Sequence, residues 1–250
     1  DKGSEIALDE NNEPVEISLN EDAPTAAIIF KTIIDPFMGK LSYFKVISGK
    51  VSKDLSLINM STKTLERVGK IVSVCGKRQE DIQSVVAGDI GVLCKSPSLN
   101  TGDTLCSSER KVTLEGVDYP KPCLSMAISA KDKNEEDKLA LCLAKICLED
   151  PAITLRNDNE THEMILSGLG EQHLDVIVSK LKNKYSIEAV LKKPKIAYRE
   201  TIRKSVSVQG RHKKQTGGHG QFGDVWIKFE PCESDGLEFC EEIVGGAVPK

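Results

Sequence analysis

The chain has 250 residues, 39% hydrophobic and 29% charged, with a net charge of −4. That length suits one large domain or two to three small ones, each able to bury a core of its own. The composition excludes a disordered chain, and no apolar run approaches membrane-spanning length, so no membrane partner is expected. The sequence opens on Asp1 without a basic-then-apolar leader, and its start reads as a cut within a longer chain.

Residues 1–23 are acidic with little periodicity, which predicts a linker at the end of a preceding domain. From Pro24 the texture changes to short β-branched and aromatic runs: 26–34, 41–47, 55–59, 68–74 and 90–94. Turn signals at Asp35-Pro36, Ser48-Gly49, Gly88-Asp89 and Gly102-Asp103 separate them, so an all-β barrel is expected over 24–110. Residues 111–121 are polar and read as a second linker.

Over 122–193 the pattern becomes strand, helix, strand, strand, helix, strand, the split βαβ or ferredoxin-like plan of an α+β domain. Asn134 is expected to open the first helix, with Glu135, Glu136 and Asp137 complementing its dipole and Asp137 completing a capping arrangement. Leu139, Cys142, Leu143, Ile146 and Cys147 recur at helical spacing and mark one buried face. Pro151 should end that helix, a hairpin should turn about Asp158-Asn159, and Leu174, Ile177, Val178 and Leu181 should form the buried stripe of the second helix. Residues 194–250 then read as the truncated start of an α/β domain, with a strand near 205–209, a glycine loop at 217–223 and a strand over 224–230.

The eight cysteines at 75, 94, 106, 123, 142, 147, 232 and 240 include no C-x-x-C pair, so buried or incidental thiols in a reducing cytoplasm are expected rather than a metal or disulfide framework. Glu171 and His173 lie two apart at a helix start and share no face, so they do not suggest a catalytic pair, and His173 reads as an interface or core histidine. No catalytic set and no G-x-x-x-x-G-K-[ST] phosphate cradle is present. Gly218-His219-Gly220-Gln221-Phe222-Gly223 matches the dinucleotide fingerprint in letters only, because a strand and not a helix should follow it.

Charge is distributed unevenly: residues 1–22 hold eight acids against one Lys, whereas 195–228 hold eight bases against two acids. Beside the glycine loop, Arg211, Lys213 and Lys214 supply positive charge, which makes the loop a candidate contact for a polyanion. The candidate RNA-contacting residues are Arg211, Lys213, Lys214, Gln215, Gly217, Gly218, His219, Gly220, Gln221 and Gly223.

Several stretches, in unbroken order over 24–250, resemble the elongation factor G family. Phe30-Lys31, Asp35 to Leu41 and Ser48-Gly49 look like the opening of its second domain, with Ala87 to Ile90 and Thr101 to Cys106 its close. Glu149-Asp150-Pro151 and Gly168 to Leu174 look like the third domain; Tyr198 to Ile202, Gln215 to Gly223 and Val244 to Lys250 look like the start of the fourth. His219 stands where the family's pattern has Arg and Gln172 where it has Leu or Met, which admits a divergent paralogue.

The resemblance implies a bacterial, cytoplasmic, ribosome-dependent GTPase that moves tRNA and mRNA, acting as a monomer whose fourth domain reaches the decoding site. GTP and magnesium would serve the parent protein, while this stretch holds no cofactor or metal and is expected to be inactive alone. A tetracycline ribosomal-protection protein shares the architecture, but the glycine loop follows the elongation-factor pattern. A standalone RNA-binding protein would not carry a third unit cut short.

Overall fold

A computed structural model describes residues 3–76, 78–215, 217–233 and 236–243. The chain divides after Lys195 into two compact units.

In the first unit, ten strands make the barrel-like part: β3 (Ala26–Asp35), β4 (Gly39–Ser48), β5 (Lys50–Ser52), β6 (Ser56–Asn59), β7 (Thr64–Arg67), β8 (Ile71–Cys75), β9 (Arg78–Ile82), β10 (Ser84–Val86), β11 (Ile90–Cys94) and β12 (Thr104–Cys106). Eight pair in the order β7-β6-β12-β3-β4-β11-β8-β9, and β5 pairs with β10. The long β3–β4 hairpin turns where the Asp35 carboxylate accepts the N–H groups of Phe37 and Met38, each at 2.8 Å. Those two bonds favour the ionised form and hold the Asp35 carboxyl below its ordinary pKa. Ile29, Phe44, Val46, Leu57, Leu93 and Leu105 fill the interior.

The segments expected as linkers contain strands. β1 (Ser4–Leu8) and β2 (Pro14–Ser18) form a hairpin, and β13 (Thr113–Leu114) joins it in the order β13-β1-β2. Ala7, Ile17, Val112 and Leu114 pack on Ala26, Ile47, Met60 and Cys106, giving the barrel a second buried layer. The acidic residues around them hid this apolar set from a periodicity reading, because only Ala7 and Ile17 of the hairpin are buried.

The α+β part comprises β14 (Leu124–Ala130), α1 (Glu136–Glu149), β15 (Thr154–Asp158), β16 (Glu163–Gly168), α2 (Glu171–Tyr185) and β17 (Ala189–Lys192), with sheet order β15-β16-β14-β17 and all neighbours antiparallel. This is the split βαβ plan. Leu139, Cys142, Leu143 and Ile146 of α1 and Leu174, Ile177 and Leu181 of α2 pack over the sheet, with Cys147 and Val178 only half-buried. The helix start differs from expectation. A 3-10 turn, Lys133–Glu135, precedes α1, and the Asp132 carboxylate rather than Asn134 or Asp137 caps it, accepting the Asn134 N–H at 3.0 Å. Glu136 Oε1 accepts the Ala130 N–H at 3.1 Å and ties α1 to β14. Burial pushes the thiols of Cys94, Cys106, Cys142 and Cys147 upward, as expected of cysteines used as small hydrophobes.

The second unit is built, among its described residues, on one hairpin of β18 (Val206–Lys214) and β19 (Gln221–Phe229). The Val244 to Lys250 run that carries part of the resemblance lies outside the described residues.

Candidate nucleic-acid interface

Alternating Val206 and Val208 on one strand, and Val225, Ile227 and Phe229 on the other, favour extended chain, and the glycine-rich stretch between them reverses it. The two strands pair antiparallel from Val206 opposite Phe229 to Lys214 opposite Gln221. All described residues of the hairpin are exposed. β19 begins earlier than expected, so Gln221 and Gly223 belong to the strand and the loop proper is 215–220.

Within the loop, Gly217 has φ +53° and Gly218 φ +106°, conformations that an L side chain adopts only under strain. A Cβ at Gly220 would instead sit 3.6 Å from the Lys214 carbonyl oxygen, an ordinary van der Waals contact. Gln215, His219 and Gly220 are exposed at the tip, and Thr216 lies outside the described residues.

The register separates residues that sequence proximity groups together. Arg211 and Lys213 share one face with Phe222, Asp224 and Trp226, whereas Lys214 and His212 lie on the other. Arg211 Nε is 3.8 Å from Asp224 Oδ2, and its guanidinium stands 5.7 Å over the Phe222 ring. Gln209 Nε2 donates to the same carboxylate at 2.9 Å. On the other face, His212 Nε2 and Gln221 Oε1 lie 3.3 Å apart. Phe222 and Trp226 were not among the expected contact residues. Period-two alternation through Gln221–Phe229 is the signal that would have put them together on one face of the strand.

His173 is a positioning residue. The Leu169 N–H donates to its Nδ1 at 3.2 Å, which leaves the proton on Nε2 to donate to Asp150 Oδ2 at 3.0 Å. The bond joins Gly168–Leu174 to the end of α1, so two stretches far apart in sequence form one structural element. Glu171 is exposed in the first turn of α2. Among the described residues no three His, Cys, Asp or Glu side chains gather as a metal-holding group, and no helix is long and apolar enough to cross a membrane.

Three family models match the chain in succession: elongation factor G domain 2 over residues 24–108, elongation factor G domain III over 119–193, and elongation factor G domain IV over 194–250. The chain belongs to the elongation factor G family. A crystal structure of a Thermus thermophilus protein is similar over 91% of this chain, with a TM-score of 0.72 and 34% identity. The chain spans about a third of that protein, 34% of its length. In elongation factor G terms, β3 to β12 form the domain 2 barrel, the Asp150–His173 bond sits in domain III, and the glycine hairpin belongs to domain IV.

Proposed function

We propose that this chain is the ribosome-contacting middle of a cytoplasmic translocation factor, and that the loop 215–220 enters the decoding site as tRNA and mRNA advance. The reading rests on family membership in a group of translation elongation factors. The observation that carries it is the tip: glycines at positive φ, cations beside them, and exposed amide groups at the end of a two-stranded arm.

Glycines without Cβ atoms let backbone N–H groups approach phosphate or base edges closely. Gln215 offers both donor and acceptor, and Lys213 and Lys214 flank the loop on opposite faces, so the tip can enter a field of phosphates from either side. GTP hydrolysis with magnesium belongs, on this account, to a part of the factor outside these residues. The Gly218–Gly223 run does not fit a nucleotide: it leads into β19, so no helix N-terminus follows to receive a pyrophosphate.

The test uses the full-length factor that carries this chain. Gly218→Ala forces an alanine to φ +106°, a strain of about 1–3 kcal/mol, and mRNA movement should slow about tenfold, since ~1.4 kcal/mol is tenfold in rate. Gly220→Ala should change movement less than about threefold, because its Cβ meets only ordinary contacts. Ribosome-stimulated phosphate release should persist in both. Rapid-kinetic recording of both signals decides: unchanged movement in Gly218→Ala, or a parallel loss of movement and phosphate release, removes the assignment.

A further inference from the structure

The hairpin's two faces are chemically unlike. Val206, Val208, Val225, Ile227 and Phe229 alternate onto one face, as in a strand pair that contributes to a core. The opposite face combines Arg211, Lys213 and Lys228 with Phe222 and Trp226. Three cations, with Asp224 beside Arg211 at 3.8 Å and Glu230 paired with Lys228 at 2.7 Å, make a poor core face. Phe222 and Trp226 put two aromatic rings among those cations, on the face opposite the aliphatic one.

We propose that this basic, aromatic face is a stacking platform for unpaired RNA bases, extending the tip contact along the strands; the inference rests on the RNA-contacting reading above. Phe222 and Trp226 lie four residues apart on one strand, about 13 Å at the usual rise per residue. Arg211 stands between them, oriented by Asp224 and lying over the Phe222 ring, while Lys213 is directly opposite Phe222. Cations at this spacing draw in the phosphate backbone, and the rings take the bases; neither ring reads sequence, because every base has a π-face. Charge and rings together favour single-stranded over duplex RNA, whose bases are already stacked and expose only their edges.

Trp226 is the only tryptophan of the chain, so its emission reports on this face alone. Titrating the 250-residue chain with a single-stranded oligoadenosine at low salt should give saturable quenching. Phe222→Ala should weaken binding about tenfold. Trp226→Phe, followed by anisotropy of labelled RNA, should bind within about twofold of the native chain, whereas Trp226→Ala should lose about tenfold. The titration reads Trp226 on the strand face without the ribosome, and the kinetic test reads mRNA movement by the tip on the ribosome, so a failure of the tip assignment and a failure of the platform are separate results. The proposal is overturned if heparin or duplex RNA of equal length quenches as strongly, if the oligonucleotide binds without changing Trp226 emission, or if the emission changes instead with protein concentration as copies associate.

Discussion

At Gly49 the chain turns from β4 into β5 with φ +72°, and a Cβ there would lie 2.5 Å from the Ala23 carbonyl oxygen and 2.7 Å from Thr25 Cα. Both obstacles are backbone, so neither moves cheaply. Gly49→Ala should therefore destabilise the chain by about 2–3 kcal/mol or more in urea denaturation; a loss under ~0.5 kcal/mol would show that the turn relaxes freely. Gly49 was legible as a turn residue from Ser48-Gly49, but the crowding around it was not, because Ala23 and Thr25 come from a segment that sequence order places elsewhere. The tip shows the same division. Arg211, Lys213, Lys214 and the glycines were recognisable by type, yet which of them share a face depends on register, and β19 begins at Gln221 rather than Asp224.

Among the elements, the strands rich in Val, Ile and Phe and both helices were readable from period and turn residues. The strands outside those runs are short or polar: β5, β10 and β12 have three residues each, too few to show alternation, and β7 and β9 are polar. β7 and β9 end the eight-stranded order, and β9 reads Arg-Gln-Glu-Asp-Ile, a charged edge of the kind that blocks further pairing and carries no apolar alternation. The joint between α+β part and barrel is another feature no periodicity marks. Glu149 Oε1 accepts the Ile34 N–H at 2.8 Å, Lys184 Nζ donates to the Ile34 carbonyl at 2.8 Å, and the two side chains pair at 2.9 Å. Partial burial alone would lower the Lys184 pKa, but the bond to Glu149 and its charge outweigh this and raise it. A raised ammonium pKa contributes stability that is fully present below the unfolded value of about 10.4 and is lost as pH rises through the folded one. Lys184→Met should thus cost about 1–2 kcal/mol, with the gap to the native chain constant from about pH 6 to 9 and closing only above about pH 10.5. Urea melts across that range check it; a gap that closes between about pH 5 and 7 would place the titration on another group.

At the scale of the whole molecule, barrel and α+β part each have their own core, Phe44 and Leu105 in one, Leu143 and Leu166 in the other. The sequence order of those apolar sets separates the two cores, which lie within one compact unit, residues 1–195. The contribution of residues 4–18 and 113–114 was invisible for a physical reason: a three-stranded sheet that buries one face on the barrel leaves the rest of its surface acidic and solvated. Ile34, Glu149 and Lys184 also lie far apart in the chain, so only the fold reveals that one joint unites them. The family was recognisable because its motifs sit where backbone geometry constrains residue choice: Asp35 at a turn, Gly49 in a crowded bend, Asp150 and His173 in one bond. The 215–220 tip is proposed to work at the decoding site. It is tested most directly by tethering an iron chelate at His219→Cys in the full-length factor, with the exposed Cys75, Cys123, Cys232 and Cys240 replaced by Ser, and mapping hydroxyl-radical cleavage on ribosomes caught during translocation. Cleavage concentrated in small-subunit RNA around the decoding site and in the adjoining mRNA is the predicted result; cleavage confined to large-subunit RNA, or none above the same factor with His219 retained while binding persists, would contradict it.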